Sequence, residues 1–280
     1  MDVRTIDVAG RRLRAATSPG SPGSIPLFFF NGIGSNLEIV GGFAAEMQAF
    51  GIGVVAFDVP GTGGSTGVAA PYRFSWLADL AERVLAALGI EGPVDVAGVS
   101  WGGALAQEFT RRHPARVRRL VLAATTAGSV SVPGRLPALL KMVSPRRYID
   151  RNFILRVGAT LYGGKVRRDR KLLAEFAQVL RPARGSGYYF QLLAGIGWTS
   201  AHWLHTLRQP TLVMVGRDDP IIPAVNGRIL AALIPQARLV TIDDGHLFLL
   251  TSSRECAPII ADFLTRQERP SENAAPVAAG

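Results

Sequence analysis

Short apolar strands alternate with helical patterns through the first 125 residues, and this alternation constrains the fold more than any other feature of the chain. The runs PLFFF, GVVAFDV, PVDVAGV and VRRLVLAAT are mainly apolar and rich in β-branched or aromatic residues, as buried strands are. Apolar residues at helical spacing follow or separate them at 36–50, 74–88 and 101–113. Because parallel strands need crossovers of this length, the pattern predicts an α/β fold with a mostly parallel central sheet flanked by helices.

The alternation then stops and resumes only in the last quarter of the chain. Residues 129–205 show helical patches, many arginines and Gly or Pro punctuation, whereas PTLVMVG and ARLVTID are again typical of strands and precede a helix at 252–266. We interpret 1–128 and 206–268 as two parts of one core, joined by a helical cap, or lid, at 129–205. The polar and small-residue tail, 269–280, is expected to be disordered.

Charge and cysteine content limit the classes of protein to which the chain can belong. The 31 Lys and Arg residues against 21 Asp and Glu give a net charge of +10, and much of the excess lies in 141–184. No nucleic-acid-binding motif accompanies these basic clusters, so we expect an anionic surface or solvent to face them rather than nucleic acid. The N-terminal stretch carries scattered charges and no apolar core, and the apolar runs of the chain are short, so we expect neither a secretory signal nor a membrane span. Cys256 is the single cysteine. These features predict a cytoplasmic protein.

The segment VDVAGVSWGGALAQEF contains the pattern G-x-S-x-G at 98–102, between an apolar strand and a helix. Such a turn lifts the hydroxyl of Ser100 above the sheet, and side chains on the flanking glycines would collide with neighbouring backbone. A serine nucleophile needs a base, and the base needs an acid that orients it. In this architecture the acid and then the histidine follow in the chain, which indicates Asp218 or Asp219 in VGRDDPIIP and His246 in TIDDGHLFLL.

The remaining histidines and nearby carboxylates suit other roles. His113 ends a helix, where a cationic or capping role is expected. His202 and His205 precede the acid in the chain and lie at the end of the cap, so we interpret them as structural or as pocket-lining residues rather than as the base. Asp243 and Asp244 are interpreted as loop-shaping or solvated groups.

The stretch FFFNGIGSNLE, residues 28–38, ends a strand with Asn-Gly, the strongest short signal for a hairpin. A helical pattern follows instead of a second strand, so we interpret the segment as strand, loop and helix. Acyl transfer needs two backbone N–H donors aimed at the developing oxyanion. The residue after the nucleophile, Trp101, supplies one in this architecture, and we assign the other to Ile33.

The glycines and polar residues of this loop support that assignment. Gly32 and Gly34 are expected to let the backbone turn so that the N–H of Ile33 faces the substrate carbonyl. Ser35 and Glu38 form an S-x-x-E pattern, which predicts a capping box at the start of the next helix. The Asn-Gly loop is therefore predicted to be half of an oxyanion hole.

With these motifs the chain resembles the α/β-hydrolase superfamily, and within it the intracellular poly(3-hydroxyalkanoate) depolymerases of the medium-chain-length type. The resemblance implies the α/β-hydrolase fold and a Ser100–Asp219–His246 triad, because the family's acid lies three residues past the strand-ending glycine, here Gly216. Asn31-Gly32 matches this narrower family, whereas most α/β-hydrolases have His-Gly there. The segments that carry the resemblance, from about residue 26 to 263, are NGIGSNLE, AFDVPGTGGS, PYRF, GVSWGGALAQEF, LVLAATTAG, SPRRY, YGG, GYYFQLLAGIGWTSAHWLH, QPTLVMVGRDDPIIP and IDDGHLFLL.

The resemblance further implies hydrolysis of a polyester of 3-hydroxy fatty acids that is stored as cytoplasmic granules. No cofactor or metal is implied, and GTGGSTG lacks the lysine that a phosphate-binding P-loop requires. We expect Asn31, Trp198 and His202 to contact substrate. We also expect the arginine-rich cap to meet the granule surface through Phe153, Ile154, Tyr188, Tyr189, Phe190 and Trp198.

Three alternatives to a depolymerase stay open at this point. A general carboxylesterase or lactonase would use the same triad on small esters, and an acyltransferase would pass the acyl group to an alcohol or thiol. A granule-binding protein without catalysis would keep its function after Ser100→Ala. The sequence carries no signal for the oligomeric state.

Overall fold

The computed structural model of the chain describes residues 1–144, 146, 150–180 and 186–266. The tail predicted to be disordered, 269–280, and the basic segment RPARG lie outside the described residues, as does most of SPRRY. The strands are β1 (Asp2–Val8), β2 (Arg11–Thr17), β3 (Leu27–Phe30), β4 (Val54–Phe57), β5 (Val94–Val99), β6 (Val117–Ala123), β7 (Thr211–Gly216) and β8 (Ala237–Ile242).

The strands form one eight-stranded sheet in the order β1-β2-β4-β3-β5-β6-β7-β8. Six neighbouring strands pair in parallel: β4, β3, β5, β6, β7 and β8. The strands β1 and β2 form an antiparallel pair, and β2 joins β4 in antiparallel orientation at one edge. The predicted mostly parallel α/β sheet is confirmed.

The helices that the structure describes surround this sheet or build the cap. The predicted helices at 36–50, 74–88 and 101–113 match the first three to within one residue at each end. They are α1 (Leu37–Ala49), α2 (Phe74–Ala87), α3 (Trp101–Arg112), α4 (Leu136–Val143), α5 (Arg151–Tyr162), α6 (Gly164–Arg168), α7 (Arg170–Val179), α8 (Gly187–Gly195), α9 (Val225–Leu233), α10 (Phe248–Thr251) and α11 (Ser253–Thr265), with 3₁₀ turns at Pro114–Arg116 and Leu204–Thr206.

β3 shows why the sheet must be covered on both sides. Phe28 faces α3, with its ring 5.7 Å from that of Phe109, whereas Phe29 faces α1, with its ring 5.1 Å from that of Phe43. All residues of β3 are buried, as a continuous apolar run requires. Two apolar cores result, one beneath α2 and α3 and the other beneath α1 and α11.

The helix α9 is not among the predicted elements. Its sequence includes Asn226 and Gly227, both buried, so the apolar periodicity that marks a surface helix is interrupted. A Cβ on Gly227 would lie 2.1 Å from a side-chain methyl of Val215 on β7. The glycine is therefore explained by close packing of the helix on the sheet, which local spacing does not show.

The predicted Ser-x-x-Glu capping box at the start of α1 is wrong. The helix begins at Leu37 after Asn36, whose side chain makes no capping hydrogen bond. The N–H of Leu37 instead donates to Oδ1 of Asp58, at the end of β4, over 2.9 Å. Glu38 accepts from Arg14 on β2, with 2.6 Å between the closest atoms. A carboxylate from a neighbouring strand thus replaces the local cap, and the expected cap residue joins an ion pair.

Glu38→Gln is expected to lower the free energy of unfolding by about 1 kcal/mol near pH 7, because water screens a partly exposed ion pair. Burial opposes ionisation, but hydrogen bonds from Arg14 and Asn36 lower the pKa of the Glu38 carboxyl to about 2, from an ordinary value of 4.5. Since the folded-state pKa is the lower one, the stabilisation is complete above the unfolded value and is lost as the pH falls toward the folded value. Urea unfolding near pH 7 and near pH 3 should show the difference shrink.

Glu46→Gln is the matched control on the same helix. Glu46 reaches Arg254 at 3.6 Å, and the side chain of Arg254 is 92% exposed. This pair should change stability by less than about 0.5 kcal/mol at either pH. A Glu38→Gln effect of the same size at both pH values would contradict the ion-pair account.

α4 to α8 form the cap, which lies over the edge of the sheet where the parallel strands end. Apart from one bridge between Gly128 and Thr199, the described residues of 129–205 pair with no strand. The cap has its own apolar interior, and Ile154 and Tyr188 are buried in it at 0% and 2% exposure. The prediction that Ile154 and Tyr188 meet a granule surface is therefore wrong. Tyr189, predicted to do the same, is exposed. None of the described helices is both long and apolar enough to cross a membrane.

Candidate active site

Ser100 occupies a strained turn between β5 and α3. Its backbone has φ 56° and ψ −120°, a conformation that residues with a Cβ rarely adopt. A Cβ on Gly98 would lie 2.3 Å from the carbonyl oxygen of Gly102, and a Cβ on Gly102 would lie 2.2 Å from that of Phe30. The predicted need for glycine at both flanks is confirmed, and the turn places the serine at the end of the strand.

Hydrogen bonds from the end of β6 and the residues after it hold this turn in place. The N–H of Ser100 donates to the carbonyl of Ala123 at the end of β6 over 2.9 Å, and Oγ1 of Thr125 donates to the carbonyl of Ser100 over 2.7 Å. Thr125 is buried, and its side chain fills the space that a Cβ on Gly103 would need. Thr125 is not among the predicted site residues, although a polar residue directly after a buried strand, as in LVLAATT, is the signal that identifies it.

The structure brings Ser100, Asp219 and His246 together. Nε2 of His246 lies 3.1 Å from Oγ of Ser100, and Nδ1 lies 2.7 Å from Oδ2 of Asp219. Oδ1 of Asp219 accepts from the N–H groups of Ile221 and Ile222, both over 2.8 Å. The carboxylate is buried and its oxygens are engaged on both sides, so it holds the imidazole in one orientation.

The other candidate acid, Asp218, holds the cap instead. Its Oδ2 accepts from the N–H of Gly164 over 3.0 Å. Next to that contact, the N–H of His246 donates to the carbonyl of Tyr162, the last residue of α5, over 2.7 Å. Asp244 is buried and accepts from the N–H of Gly245 over 2.7 Å. The end of α5 and the start of α6 therefore lie between the loop after β7, which carries Asp219, and the histidine loop after β8, which carries His246, and they fix both loops. The loop-shaping interpretation of Asp244 is confirmed.

The two predicted oxyanion donors lie in backbone segments next to Ser100, Trp101 directly after it in the chain and Ile33 in the β3–α1 loop. Trp101 is the first residue of α3, so its N–H has no partner within the helix. In the β3–α1 loop, Gly34 has φ 68°, whereas Gly32 has no left-handed φ, so only one of the two glycines supplies the predicted backbone freedom. A Cβ on Gly32 would lie 3.7 Å from Cβ of Ser100, which places this loop against the nucleophile. The roles of Ile33 and Trp101 stay predictions.

An apolar pocket opens beside Ser100 and His246, with about 680 Å³ of empty space that includes the solvent at its mouth. Asn31, one of the predicted substrate contacts, lies in its wall, and Nδ2 of Asn31 donates to the carbonyl of Asn36 over 3.2 Å. The remaining lining residues come from β3, α1, the histidine loop and the cap: Phe29, Gly32, Ile33, Ser35, Ile39, Val40, Phe43, Val99, Met142, Tyr162, Phe176, Leu247, Leu249 and Leu250.

The structure places the other two predicted substrate contacts, Trp198 and His202, away from this pocket. The indole N–H of Trp198 donates to Glu108 over 3.2 Å, and its ring packs 5.1 Å from that of Phe74 in the core. His202 is exposed, with its ring 6.4 Å from that of Trp203. The predictions fail because both residues lie where the chain leaves the cap and returns to the sheet, rather than over the nucleophile.

The remaining singled-out residues have local structural roles. His113 is the C-cap residue of α3, as predicted, and its Nε2 lies 3.1 Å from Oδ1 of Asp79. His205 is exposed, and Asp243 is exposed and pairs with Arg217 at 3.2 Å. Burial raises the pKa of the Cys256 thiol to about 12, which leaves it protonated and unreactive near neutral pH.

This geometry suits nucleophilic acyl transfer. His246 is close enough to accept the proton of Ser100, and the buried Asp219 stabilises the imidazolium that would form. The fold and the site together define a hydrolase of the α/β class. A profile of the family described as alpha/beta hydrolase fold matches residues 25–253, and the chain belongs to this family.

Within the family the chain is similar to several curated proteins. It is 52% identical over 266 residues to a poly(3-hydroxyalkanoate) depolymerase of Ectopseudomonas oleovorans, a match that covers 95% of this chain and 93% of that protein. It is 33% identical over 187 residues to a pimeloyl-[acyl-carrier protein] methyl ester esterase of Aromatoleum aromaticum, which covers 60% of this chain and 73% of that protein.

Solved structures show the same fold at lower identity. The enol-lactonase from Burkholderia xenovorans LB400 is 22% identical, with a TM-score of 0.80, and the match covers 94% of this chain and 100% of that one. At this identity the likeness concerns the fold alone.

Proposed function

We propose that the chain is a serine hydrolase that cleaves the ester bonds of a poly(3-hydroxyalkanoate), a medium-chain-length one, at granules in the cytoplasm. The observation that carries this proposal is the 52% identity to a depolymerase over 95% of the chain, since a match of that extent includes the cap as well as the core. The cap encloses the site, so similarity there bears on the substrate more than similarity of the triad does.

The reaction follows from the geometry of the site. His246, oriented by Asp219, takes the proton of Ser100 while Oγ attacks the ester carbonyl. The N–H groups of Ile33 and Trp101 bind the oxyanion, and a donor of this kind typically contributes about 3 kcal/mol to the transition state. The imidazolium of His246 protonates the leaving alkoxide. A water then gives its proton to His246 and attacks the acyl carbon. The tetrahedral intermediate expels Oγ of Ser100, which takes that proton from His246, and a 3-hydroxy acid or oligomer is released.

The pocket supports an aliphatic acyl group as the substrate. Val40 and Phe43 of α1 and Leu249 of α10 line the space next to Ser100, and Met142 and Phe176 line it from the cap. An alkyl side chain of several carbons that enters this space gains about 0.8 kcal/mol for each buried methylene. A short side chain would leave part of the apolar wall uncovered, which favours the medium-chain polymer.

Exposed apolar residues of the cap support contact with a polyester surface. On α4, Leu136, Leu140 and Val143 are 67%, 65% and 63% exposed and follow helical spacing. Ala138 and Met142, on the opposite side of the same helix, face the cap interior and the pocket. One helix therefore presents an apolar stripe outward and a pocket wall inward. We define Leu136, Leu140 and Val143 as the α4 stripe.

The double substitution Leu136→Ser and Leu140→Ser is expected to reduce acid release from granules about tenfold or more, because it removes apolar area that would contact the polymer. Hydrolysis of a soluble ester should stay within about twofold of the wild type, since these side chains point away from the site. Phe50→Ser is the matched control, as Phe50 is 47% exposed at the end of α1, shortly before β4 begins, and so at the edge of the sheet opposite the cap. Equal granule activity of the double variant and the wild type would contradict a role for the α4 stripe.

The function itself is tested by supplying granules of medium-chain polyhydroxyalkanoate, a short-chain polyester and a soluble 4-nitrophenyl ester side by side. The proposal predicts 3-hydroxy acid from the medium-chain granules. Cleavage of the soluble ester alone would instead support a carboxylesterase or lactonase. Transfer of the acyl group to an added alcohol or thiol in preference to water would support an acyltransferase.

A further inference from the structure

Gln191, on the cap helix α8, joins the two backbone segments that carry the predicted oxyanion donors. Its side-chain Oε1 accepts from the N–H of Gly34, in the β3–α1 loop, over 2.6 Å. Its backbone carbonyl accepts from the indole Nε1–H of Trp101 over 2.8 Å. The donor and acceptor of the first bond are 157 positions apart in the chain. One cap residue thus contacts both sides of the nucleophile.

The surroundings of Gln191 make these contacts stable. The residue is 1% exposed, so water does not compete for the hydrogen bond to Gly34. One turn earlier in α8, the buried ring of Tyr188 packs with Ile33 and Trp101 in one apolar cluster, and its hydroxyl donates to the carbonyl of Met142 on α4. The loop that bears Ile33 is therefore held by apolar contact on one side and by the amide of Gln191 on the other.

Gly34 is the residue whose orientation matters most for this loop. Its φ of 68° sets the direction of the peptide that joins it to Ile33, and a left-handed glycine has access to other conformations. A hydrogen bond from its N–H fixes one of them. The donor N–H of Ile33 belongs to the preceding peptide, Gly32–Ile33, so a hydrogen bond that fixes the Ile33–Gly34 peptide restrains the donor through the backbone of Ile33. Because oxyanion donors must be aligned before the reaction, such a restraint bears on the rate rather than on the binding of the ester.

We propose that Gln191 is a positioning residue of the oxyanion hole. Because Gln191 belongs to the cap, the geometry of the oxyanion hole then depends on the closed cap. This inference rests on the proposed ester hydrolysis. The side-chain amide of Gln191 holds the Ile33–Gly34 peptide, which is adjacent to the peptide that bears the donor N–H of Ile33. The backbone carbonyl of Gln191 holds the indole of Trp101, the residue that supplies the second donor. Displacement of α8 breaks both hydrogen bonds, so the site is complete only while the cap covers it.

The test is Gln191→Met, which keeps the length of the side chain and removes the acceptor. We expect kcat for a soluble 4-nitrophenyl ester to fall by about 10- to 100-fold, less than the loss of a donor itself, with KM within about twofold. The inhibition constant of an alkyl trifluoromethyl ketone, whose adduct with serine carries an oxyanion, should rise by the same factor as kcat/KM falls. Gln191→Glu keeps an acceptor and should recover most of the rate.

Gln178→Met, at an exposed position of the cap helix α7, is the matched control and should leave kcat unchanged. Trp101→Phe removes the second hydrogen bond but keeps the backbone donor, so it should also lower kcat without raising KM and serves if Gln191→Met does not fold. A Gln191→Met enzyme with wild-type kcat, or with a changed KM alone, would overturn the inference. Failure of the wild type on every ester would instead refute the proposed function.

Discussion

Ser100→Gly is expected to abolish hydrolysis and, at the same time, to stabilise the fold. Removal of the nucleophile from a triad lowers kcat by about 10⁶-fold. The stability gain has a separate cause, since Ser100 has φ 56° and ψ −120° and glycine adopts left-handed conformations without a Cβ clash. Strain of this kind costs about 1–3 kcal/mol, and the greater freedom of glycine in the unfolded chain offsets about 0.4–1 kcal/mol of it.

Ser100→Ala separates the two effects. Alanine also lacks the hydroxyl, so hydrolysis should be lost to the same extent, but its Cβ keeps the backbone strain. We therefore expect Ser100→Gly to unfold at a higher urea concentration than Ser100→Ala, with a difference in unfolding free energy of about 1 kcal/mol. Hydrolysis by either variant would contradict the assignment of the nucleophile. A glycine variant less stable than the alanine variant would contradict the strain.

Gly164→Ala is expected to damage both stability and catalysis through the cap. A Cβ at this position would lie 1.8 Å from the N atom of Gly245 and 2.3 Å from Oδ1 of Asp244, and φ is already 54°. The backbone on one side must move, and the residue after Gly245 is His246. A shift of about 1 Å in a catalytic group costs about 10²-fold in rate, so kcat/KM should fall by at least that factor. The unfolding free energy should fall by about 2–4 kcal/mol.

Gly195→Ala tests the same substitution in a position without these constraints. Gly195 is the last residue of α8, also in the cap, and a Cβ there would meet no atom within 4 Å. We expect unchanged hydrolysis and a stability gain of at most about 0.5 kcal/mol, because the advantage of alanine over glycine, about 0.5–1 kcal/mol in the middle of a helix, is smaller at the last residue. Parallel kinetics and urea unfolding of the two variants compare them. Normal activity in Gly164→Ala would show that the cap does not fix the histidine loop.

The sheet and its main helices follow from local periodicity in the sequence. Strands such as LFFF (β3) and VVAF (β4) are apolar throughout because both faces of a parallel sheet are covered. The helices α1, α2 and α3 repeat apolar residues at helical spacing. Local periodicity does not predict α9, because glycine (Gly227) stands where the helix contacts β7 and an apolar side chain would be expected. Close packing there removes the side chain that the pattern would need.

Some residues of the candidate site can be predicted from local sequence, whereas others depend on contacts between distant segments of the chain. Chain order and strand ends predict that Ser100 and His246 meet, but the residues alone leave Asp218 and Asp219 as equal candidates. In the folded chain Asp218 accepts from the N–H of Gly164 in the cap, whereas Asp219 contacts His246, and neither contact is visible in the sequence. The side-chain contact of Gln191 with Gly34 joins positions 157 residues apart, and spacing within a segment carries no signal for it.

The orientation of cap side chains is the part that sequence predicts least. Aromatic composition suggests contact with substrate or granule for Tyr188 and Trp198, yet one is buried beside Ile33 and the other packs against Phe74. The exposed apolar residues lie instead on α4, where Leu136 and Leu140 face outward. Which face of a short helix turns inward depends on the helices packed against it, and those contacts arise only in the folded cap.

The central claim, that Ser100 cleaves a polyester, is tested most directly by titrating the enzyme with a fluorophosphonate before granules of medium-chain polyhydroxyalkanoate are added. Peptide mass spectrometry gives the fraction of Ser100 that is labelled, and acid release gives the remaining granule activity. We predict that activity falls in proportion to labelling and reaches zero at one label per chain. Acid release that continues after Ser100 is fully labelled would contradict the claim.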